Sequence, residues 1–109
     1  MESLMVGWTT FGSLEDAEKF GEGLVSAQLA ACIQTDGPIR STYQWEGKIT
    51  HETEYRLTVK FPESNASKVT AWVGKHHPYD TPQWLACRAE AVTPSYLKWA
   101  LEQTDKQKL

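Results

Sequence analysis

An extended β-hairpin is the sequence feature that most limits what this chain can fold into. Residues 39–45 and residues 54–61 both alternate in side-chain character, and the turn signal Glu46-Gly47 lies between them. Alternation with a period of two predicts strands that bury one face and expose the other. The remainder of a 109-residue chain offers few elements to cover so long a hairpin. Because exposed strand edges of this length tend to pair, the pattern predicts contact with another subunit.

Four residues near the hairpin turn are predicted to lie at that subunit interface. Tyr43 and Trp45 combine a large apolar area with a polar tip, and such side chains are enriched at interfaces. Glu46 and Lys48 either set the turn geometry or form an ion pair between subunits. Closed cyclic assembly of identical subunits satisfies the strand edges, so the sequence predicts a homo-oligomer.

The rest of the chain alternates strand and helix patterns, as expected for one domain over residues 1–109. The order is β-α-β-β-α-β with a C-terminal helix, which predicts an α+β fold of the ferredoxin-like type with an antiparallel sheet. A frayed tail is expected over residues 105–109. The predicted strands cover residues 4–10, 30–45, 54–61 and 85–91, and the predicted helices cover residues 14–28, 62–77 and 94–104.

Several local signals refine this order. Ser13 has the position of an N-cap before the first helix, and Asp36-Gly37-Pro38 predicts a bend or bulge within the second strand. Cys32 and Cys87 lack CxxC spacing and lie in apolar strand patterns, so both are predicted to be buried free thiols in a reducing compartment. The fourth strand is predicted to bury the face that carries Leu85 and Cys87.

Composition narrows the class of protein. A net charge of −3 and a pI near 5.6 argue against nucleic-acid binding, because Lys and Arg are dispersed among acidic residues. No segment approaches the length of about 20 apolar residues that a membrane span needs. These features predict a cytoplasmic protein that binds neither nucleic acid nor membrane.

Four motifs follow one another in the predicted order: Ala-Ala-Cys-Ile at 30–33, Tyr-Gln-Trp-Glu-Gly-Lys-Ile at 43–49, His-Pro-Tyr-Asp-Thr-Pro at 77–82 and Tyr-Leu-Lys-Trp at 96–99. Together they resemble the CutA divalent-cation-tolerance family. The resemblance implies a ferredoxin-like subunit in a tight homotrimer related to the PII signalling trimers. It also implies a role in tolerance of copper and other divalent metals, without an established catalytic activity.

This chain differs from the family pattern at positions associated with metal binding. Asp80 and Gln83 stand where members often carry Glu, and Trp8 stands where proposed copper sites use a cysteine. The missing soft thiolate ligand argues against a Cu(I) site and leaves an imidazole site for Cu(II) or Zn(II) open.

His76 and His77 are the candidate metal ligands, because imidazole is the commonest metal ligand. The alternative is that one histidine caps the last carbonyls of the second helix while the other packs beside Pro78 and Tyr79. Tyr79 and Asp80 are candidates for a small-ligand cleft, or else form a turn. No cofactor is predicted to be required.

Catalysis is not predicted, since phosphate-binding glycine loops and a nucleophile motif around Cys32 are both missing from the sequence. Two non-catalytic alternatives remain open beside metal tolerance. One is a PII-like regulatory trimer that binds a small anionic ligand between subunits. The other is a structural or anchoring trimer that presents its surface to an unidentified protein partner.

Overall fold

Strands and helices follow one another in the predicted ferredoxin-like order in the computed structural model, which describes residues 2–105. Of the tail predicted to fray, only Asp105 belongs to these residues. A short 3₁₀ turn, Glu63–Asn65, precedes the second helix. The strands are β1 (Leu4–Phe11), β2 (Cys32–Trp45), β3 (Lys48–Pro62) and β4 (Leu85–Arg88), and the helices are α1 (Leu14–Ser26), α2 (Ala66–His76) and α3 (Pro94–Gln103).

Helix α1 begins as the sequence predicts but ends two residues early. The Ser13 hydroxyl accepts a hydrogen bond from the Asp16 backbone N–H at 3.1 Å, which confirms the N-cap. The predicted end at Gln28 is wrong, because Gln28 has a left-handed backbone with φ 59°. Its N–H bonds to the Val25 carbonyl instead of continuing the helix. The chain then enters β2 at Cys32, two residues later than predicted.

The sheet has the strand order β2-β3-β1-β4, and every pair of neighbours is antiparallel. Strand β1 pairs with β3 only over residues 55–62, so residues 39–54 project beyond the sheet as a two-stranded hairpin. Its two-residue turn has φ 51° at Glu46 and φ 78° at Gly47. Positive φ at both positions matches the twist of the two strands.

The predicted bulge in β2 is confirmed. The pairing of β2 with β3 shifts register between Asp36 and Ile39. Gly37 has φ 147°, and a Cβ at this position would lie 2.8 Å from Cδ2 of Tyr55. A residue without a side chain is therefore needed where the hairpin bends away from the sheet.

One face of the sheet carries the core. Leu57, Val59 and Phe61 point to this face and are fully buried, as the alternation in β3 predicts. Helices α1 and α2 cover the same face, with Leu24 and Val69 packed into one apolar cluster with the strand residues. The ladder places Ala86 opposite Gly7 on this side, where it packs against the cluster.

The other face of the sheet is largely uncovered, and we call Val6, Trp8, Leu85 and Cys87 the open face. The ladder pairs Val6 with Cys87 and Trp8 with Leu85. The prediction that β4 buries Leu85 and Cys87 is wrong within one subunit: Leu85 is 55% exposed and Cys87 is exposed. Register is the reason, because Ala86 takes the core side and alternation turns its two neighbours outward.

Helix α3 covers only one end of this second face. It begins at Pro94, as predicted, and its Ala100 is buried in a small cluster with Leu4 and Ala31. Cys32, predicted to be buried, is half-buried beside the Tyr96 side chain. The open face therefore remains exposed next to a small helix-covered region.

Candidate functional site

His76 and His77, the predicted metal ligands, point into different surroundings. Helix α2 ends at His76, and His77 has an extended backbone with ψ 135°. Pro78 follows, and a residue before proline is displaced from helical geometry. The change of backbone direction between the two histidines separates their rings.

The His77 ring is buried and uses both of its nitrogens. Its Nε2–H donates to the Thr10 carbonyl at 2.9 Å, and its Nδ1 accepts from the Tyr79 backbone N–H at 3.1 Å. The ring stacks on Phe11 with 4.3 Å between centroids. Because the partners are a carbonyl acceptor and an N–H donor, the ring is a neutral Nε2–H tautomer. Burial lowers the pKa of His77, although the Thr10 carbonyl and nearby carboxylates oppose that shift.

The His76 ring is exposed and lies against Trp72, with 4.2 Å between the two centroids. It lines a cleft between α1 and α2, to which Asp16 also contributes. Of the two histidines, His76 is therefore the one whose ring can reach a ligand without loss of an internal hydrogen bond. His77 packs beside Tyr79. This is the packing role that the alternative to metal binding predicts for one of the two histidines.

Tyr79 forms a hydrogen bond with a buried carboxylate. Its hydroxyl donates to Oε2 of Glu54 at 3.0 Å. Glu54 was predicted on the exposed face of β3, yet it is only 6% exposed. Glu54 is buried by a tertiary contact, because the segment after His77 crosses this part of the hairpin. Burial, followed by the bond to Glu54, raises the pKa of Tyr79.

A second tyrosine–glutamate pair lies farther along the hairpin. The Tyr43 hydroxyl donates to a carboxylate oxygen of Glu52, its partner in this pair, and this bond raises the pKa of Tyr43 to about 12. No sequence pattern singles out Glu52, because it occupies an ordinary polar position in an alternating strand. Glu52 lies diagonally across the hairpin from Tyr43, because the ladder pairs Glu52 with Ser41 and Tyr43 with Thr50.

These two pairs line a groove of about 850 Å³ between the hairpin and residues 79–83. Asp80, predicted to form a cleft with Tyr79, lines it as well. Glu52, Glu54 and Asp80 bring three carboxylates to the groove, and its lining contains no Lys, Arg or His. The groove is consequently negative in character and does not suit an anionic ligand.

No other segment within residues 2–105 covers the end of the hairpin. Trp45 is 57% exposed and Ile49 is 71% exposed, and Tyr43 is also exposed. Glu46 lies in the turn and Lys48 pairs with Trp45 in the ladder. The ion pairs within residues 2–105 involve neither Glu46 nor Lys48.

Residues 2–105 contain no cluster of three or more His, Cys, Asp or Glu side chains arranged to hold a metal ion. Among the same residues, no helix is both long and apolar enough to cross a membrane. The features that distinguish this subunit are the projecting hairpin, the negative groove, the open face and the cleft beside His76.

Comparison with known proteins identifies relatives that share this fold. A CutA protein homologue of Xenopus laevis is 35% identical over 97 residues, which cover 89% of this chain and 64% of the relative. This chain thus spans less than two thirds of that relative's length. The divalent-cation tolerance protein CutA of Pyrococcus horikoshii is 33% identical over 103 residues, covering 94% of this chain and all of the relative.

Solved structures give the same result. The crystal structure of the divalent ion tolerance protein CutA1 of Ehrlichia chaffeensis superimposes with a TM-score of 0.93 at 27% identity, covering 96% of this chain and 98% of that one. The family model described as CutA1 divalent ion tolerance protein matches residues 5–103. The match extends from β1 through α3, and so the chain belongs to the CutA1 divalent ion tolerance family.

Proposed function

We propose that this protein acts in tolerance of divalent metal ions, copper in particular, as a cytoplasmic homotrimer that binds or senses metal and does not catalyse a reaction. Membership of the CutA1 divalent ion tolerance family carries the proposal. No cofactor is required for this role. The P. horikoshii relative, of which this chain covers the full length, is also described as a divalent-cation tolerance protein.

The proposed trimer is supported by the surfaces that one subunit leaves uncovered. Trp8 and Leu85 lie side by side on the open face, and Leu85 is more than half exposed. Trp45 and Tyr43 project on a hairpin that no helix within residues 2–105 covers. Packing three sheets around a common axis would bury apolar area on each of these surfaces, and apolar burial drives association.

His76 is the ligand that we propose for the metal. Coordination by His77 would break its bond to the Thr10 carbonyl or to the Tyr79 N–H. His76 has an exposed ring, and Asp16 lines the same cleft. An imidazole with a carboxylate suits Cu(II) or Zn(II).

The PII-like alternative with a small anionic ligand receives no support from the groove. Three carboxylates without a compensating cation would repel an anion. A divalent cation is better matched to that charge than a nucleotide or another phosphate ester.

Assembly is tested by light scattering coupled to size exclusion. The wild type should have the mass of a trimer at micromolar concentration, and Leu85→Glu should lower that mass. Val25→Glu is the matched control, because Val25 is an exposed apolar residue on α1, outside the open face. A monomeric wild type, or equal effects of the two substitutions, would contradict the trimer.

Metal binding is tested by calorimetry with Cu(II) and Zn(II). Because only neutral imidazole coordinates a metal ion, affinity should fall as the pH is lowered. His76→Ala should weaken binding at least tenfold, whereas His51→Ala, which removes an exposed imidazole on the hairpin, should not. Unchanged affinity in His76→Ala would reject this ligand, and normal copper tolerance of cells lacking the protein would reject the function.

A further inference from the structure

The cleft between α1 and α2 has a volume of about 440 Å³. This is within the range of roughly 300–1,000 Å³ typical of small-molecule sites. It lies beside α1 and α2, on the helix-covered side of the sheet, and shares no lining residue with the negative groove. The cleft is therefore a separate feature of the subunit.

Aromatic side chains form the apolar part of the cleft. Phe20 and Trp72 line it, and the His76 ring lies against the indole of Trp72. The indole can approach α1 because position 23 is glycine: a Cβ there would lie 2.9 Å from Cζ2 of Trp72. The sequence therefore provides a flat aromatic surface, against which a planar ring can stack.

Charges of both signs stand at the rim of the cleft. Asp16 and Lys19 are three residues apart on α1, so they lie on the same side of the helix. Both are exposed and both line the cleft. The ion pairs within residues 2–105 are Arg56–Asp36 and Arg88–Glu63, so Asp16 and Lys19 do not form an ion pair with each other.

The indole N–H of Trp72 adds an independent indication of a ligand. This Nε1 atom is one of two buried side-chain polar atoms in residues 2–105 that have no hydrogen-bond partner in the protein. By contrast, Nε1 of Trp84 donates to the Thr70 hydroxyl at 3.0 Å. Buried donors are normally paired, and a ligand with an acceptor group would pair this one.

We propose that the cleft binds a small aromatic zwitterion, which is a planar ring bearing one ammonium and one carboxylate group. The ring packs between Phe20 and Trp72. Lys19 and the Trp72 indole N–H bind the carboxylate, and Asp16 binds the ammonium. The zwitterion shares Asp16 and the cleft beside His76 with the proposed metal, whereas Lys19 belongs only to the zwitterion site, so Lys19→Met separates the two proposals.

The test uses L-phenylalanine as the probe and the side-chain N–H signals of the five tryptophans as the readout. In ¹⁵N-correlated NMR spectra, the Trp72 signal, assigned from Trp72→Phe, should shift at millimolar probe, while the Trp84 signal should stay in place. 3-Phenylpropanoate lacks the ammonium and 2-phenylethylamine lacks the carboxylate, so each should bind about tenfold more weakly.

Surface variants make the test independent of folding. Lys19→Met and Asp16→Asn change exposed positions, and each should weaken L-phenylalanine binding about tenfold. Lys68→Met on α2 is the matched control and should bind like the wild type, because Lys68 is exposed but does not line the cleft. A Trp72 signal that does not respond to the probe would overturn the proposal. Equal binding of all three compounds, or full affinity in Lys19→Met, would also overturn it.

Discussion

His77 connects the end of α2 to the end of β1 through a single buried ring. It donates to the Thr10 carbonyl and accepts from the Tyr79 N–H, and it stacks on Phe11. A protonated ring would have two N–H donors, one of which would face the Tyr79 N–H. The fold therefore requires the neutral imidazole, in agreement with the lowered pKa of His77.

This requirement predicts a pH dependence of stability. Because the pKa of His77 is lower in the folded chain than in the unfolded one, the unfolded chain binds the extra proton more readily. The free energy of unfolding should thus decrease as the pH falls from about 6.5, the unfolded value, through the lower folded pKa. Denaturant titrations of the wild type and His77→Gln at several pH values measure the effect.

The variant should lose this part of the pH dependence, although its stability at neutral pH is also lower. His51→Gln serves as the control, since His51 is exposed and bonds only to the neighbouring Thr42 hydroxyl. Identical pH profiles for the wild type and His77→Gln would show that another group controls stability in this range.

Tyr79 has a comparable role for the carboxylate of Glu54. Tyr79→Phe removes the hydroxyl that donates to this nearly buried group. Leaving a buried acceptor without its donor should lower the free energy of unfolding by about 1–3 kcal/mol. Chemical denaturation of Tyr79→Phe, Glu54→Gln and the double variant forms a double-mutant cycle. A coupling energy of zero would contradict this account of the pair.

At the scale of elements, the sequence predicted what depends on local chemistry and missed what depends on register. The Ser13 cap, the bulge near Gly37 and the Glu46-Gly47 turn are all confirmed, since each rests on neighbouring residues. The prediction of which face of β4 packs on the core of the subunit was wrong, because the ladder with β1 decides whether Ala86 or Cys87 faces the core. Periodicity alone cannot choose between two faces that both carry apolar residues.

The candidate sites show the same division. The separation of the His76 and His77 rings follows from the proline after them, so it could be predicted from the sequence. Burial of Glu54 and the cleft at Trp72 depend on which segments cross in space. Neither has a signal in the order of residues alone.

The glycines of β2 and α2 give a matched prediction about these elements. Gly37→Ala places a Cβ in a left-handed region, 2.8 Å from the Tyr55 ring and 3.0 Å from the Glu54 carbonyl. We expect a loss of about 1–3 kcal/mol in the free energy of unfolding. Gly74→Ala meets nothing within 4 Å in α2 and should gain about 0.5–1 kcal/mol from helix propensity. Thermal and denaturant unfolding should show changes in the free energy of unfolding of opposite sign for the two variants. Equal changes would contradict the bulge geometry.

For the whole molecule, the feature to explain is the amount of apolar surface that one subunit leaves exposed. The open face and the end of the hairpin both carry tryptophan or leucine side chains in contact with solvent. Helix α3 covers only the region around Leu4 and Ala31. In the proposed trimer these two surfaces become interfaces, and the stability of the fold then depends on protein concentration.

The hairpin tryptophan and the Cys87 thiol together test this dependence. Trp45 is 57% exposed in the subunit, so Trp45→Ala removes little internal packing. If Trp45 is an interface anchor, its loss should lower stability by about 3–5 kcal/mol, as truncation of a core aromatic does. The melting temperature should then increase with protein concentration more visibly than in the wild type.

Cys87 reports on the open face in the same experiment. In a Cys32→Ser background, Cys87 is the only thiol, and it is exposed on one subunit. We expect slow labelling by a thiol reagent in the trimer, and fast labelling after Trp45→Ala at a concentration where light scattering shows dissociation. Mass spectrometry measures the labelled fraction over time. Fast labelling of Cys87 in a particle with the mass of a trimer would mean that the subunits associate through another surface and leave the open face in solvent.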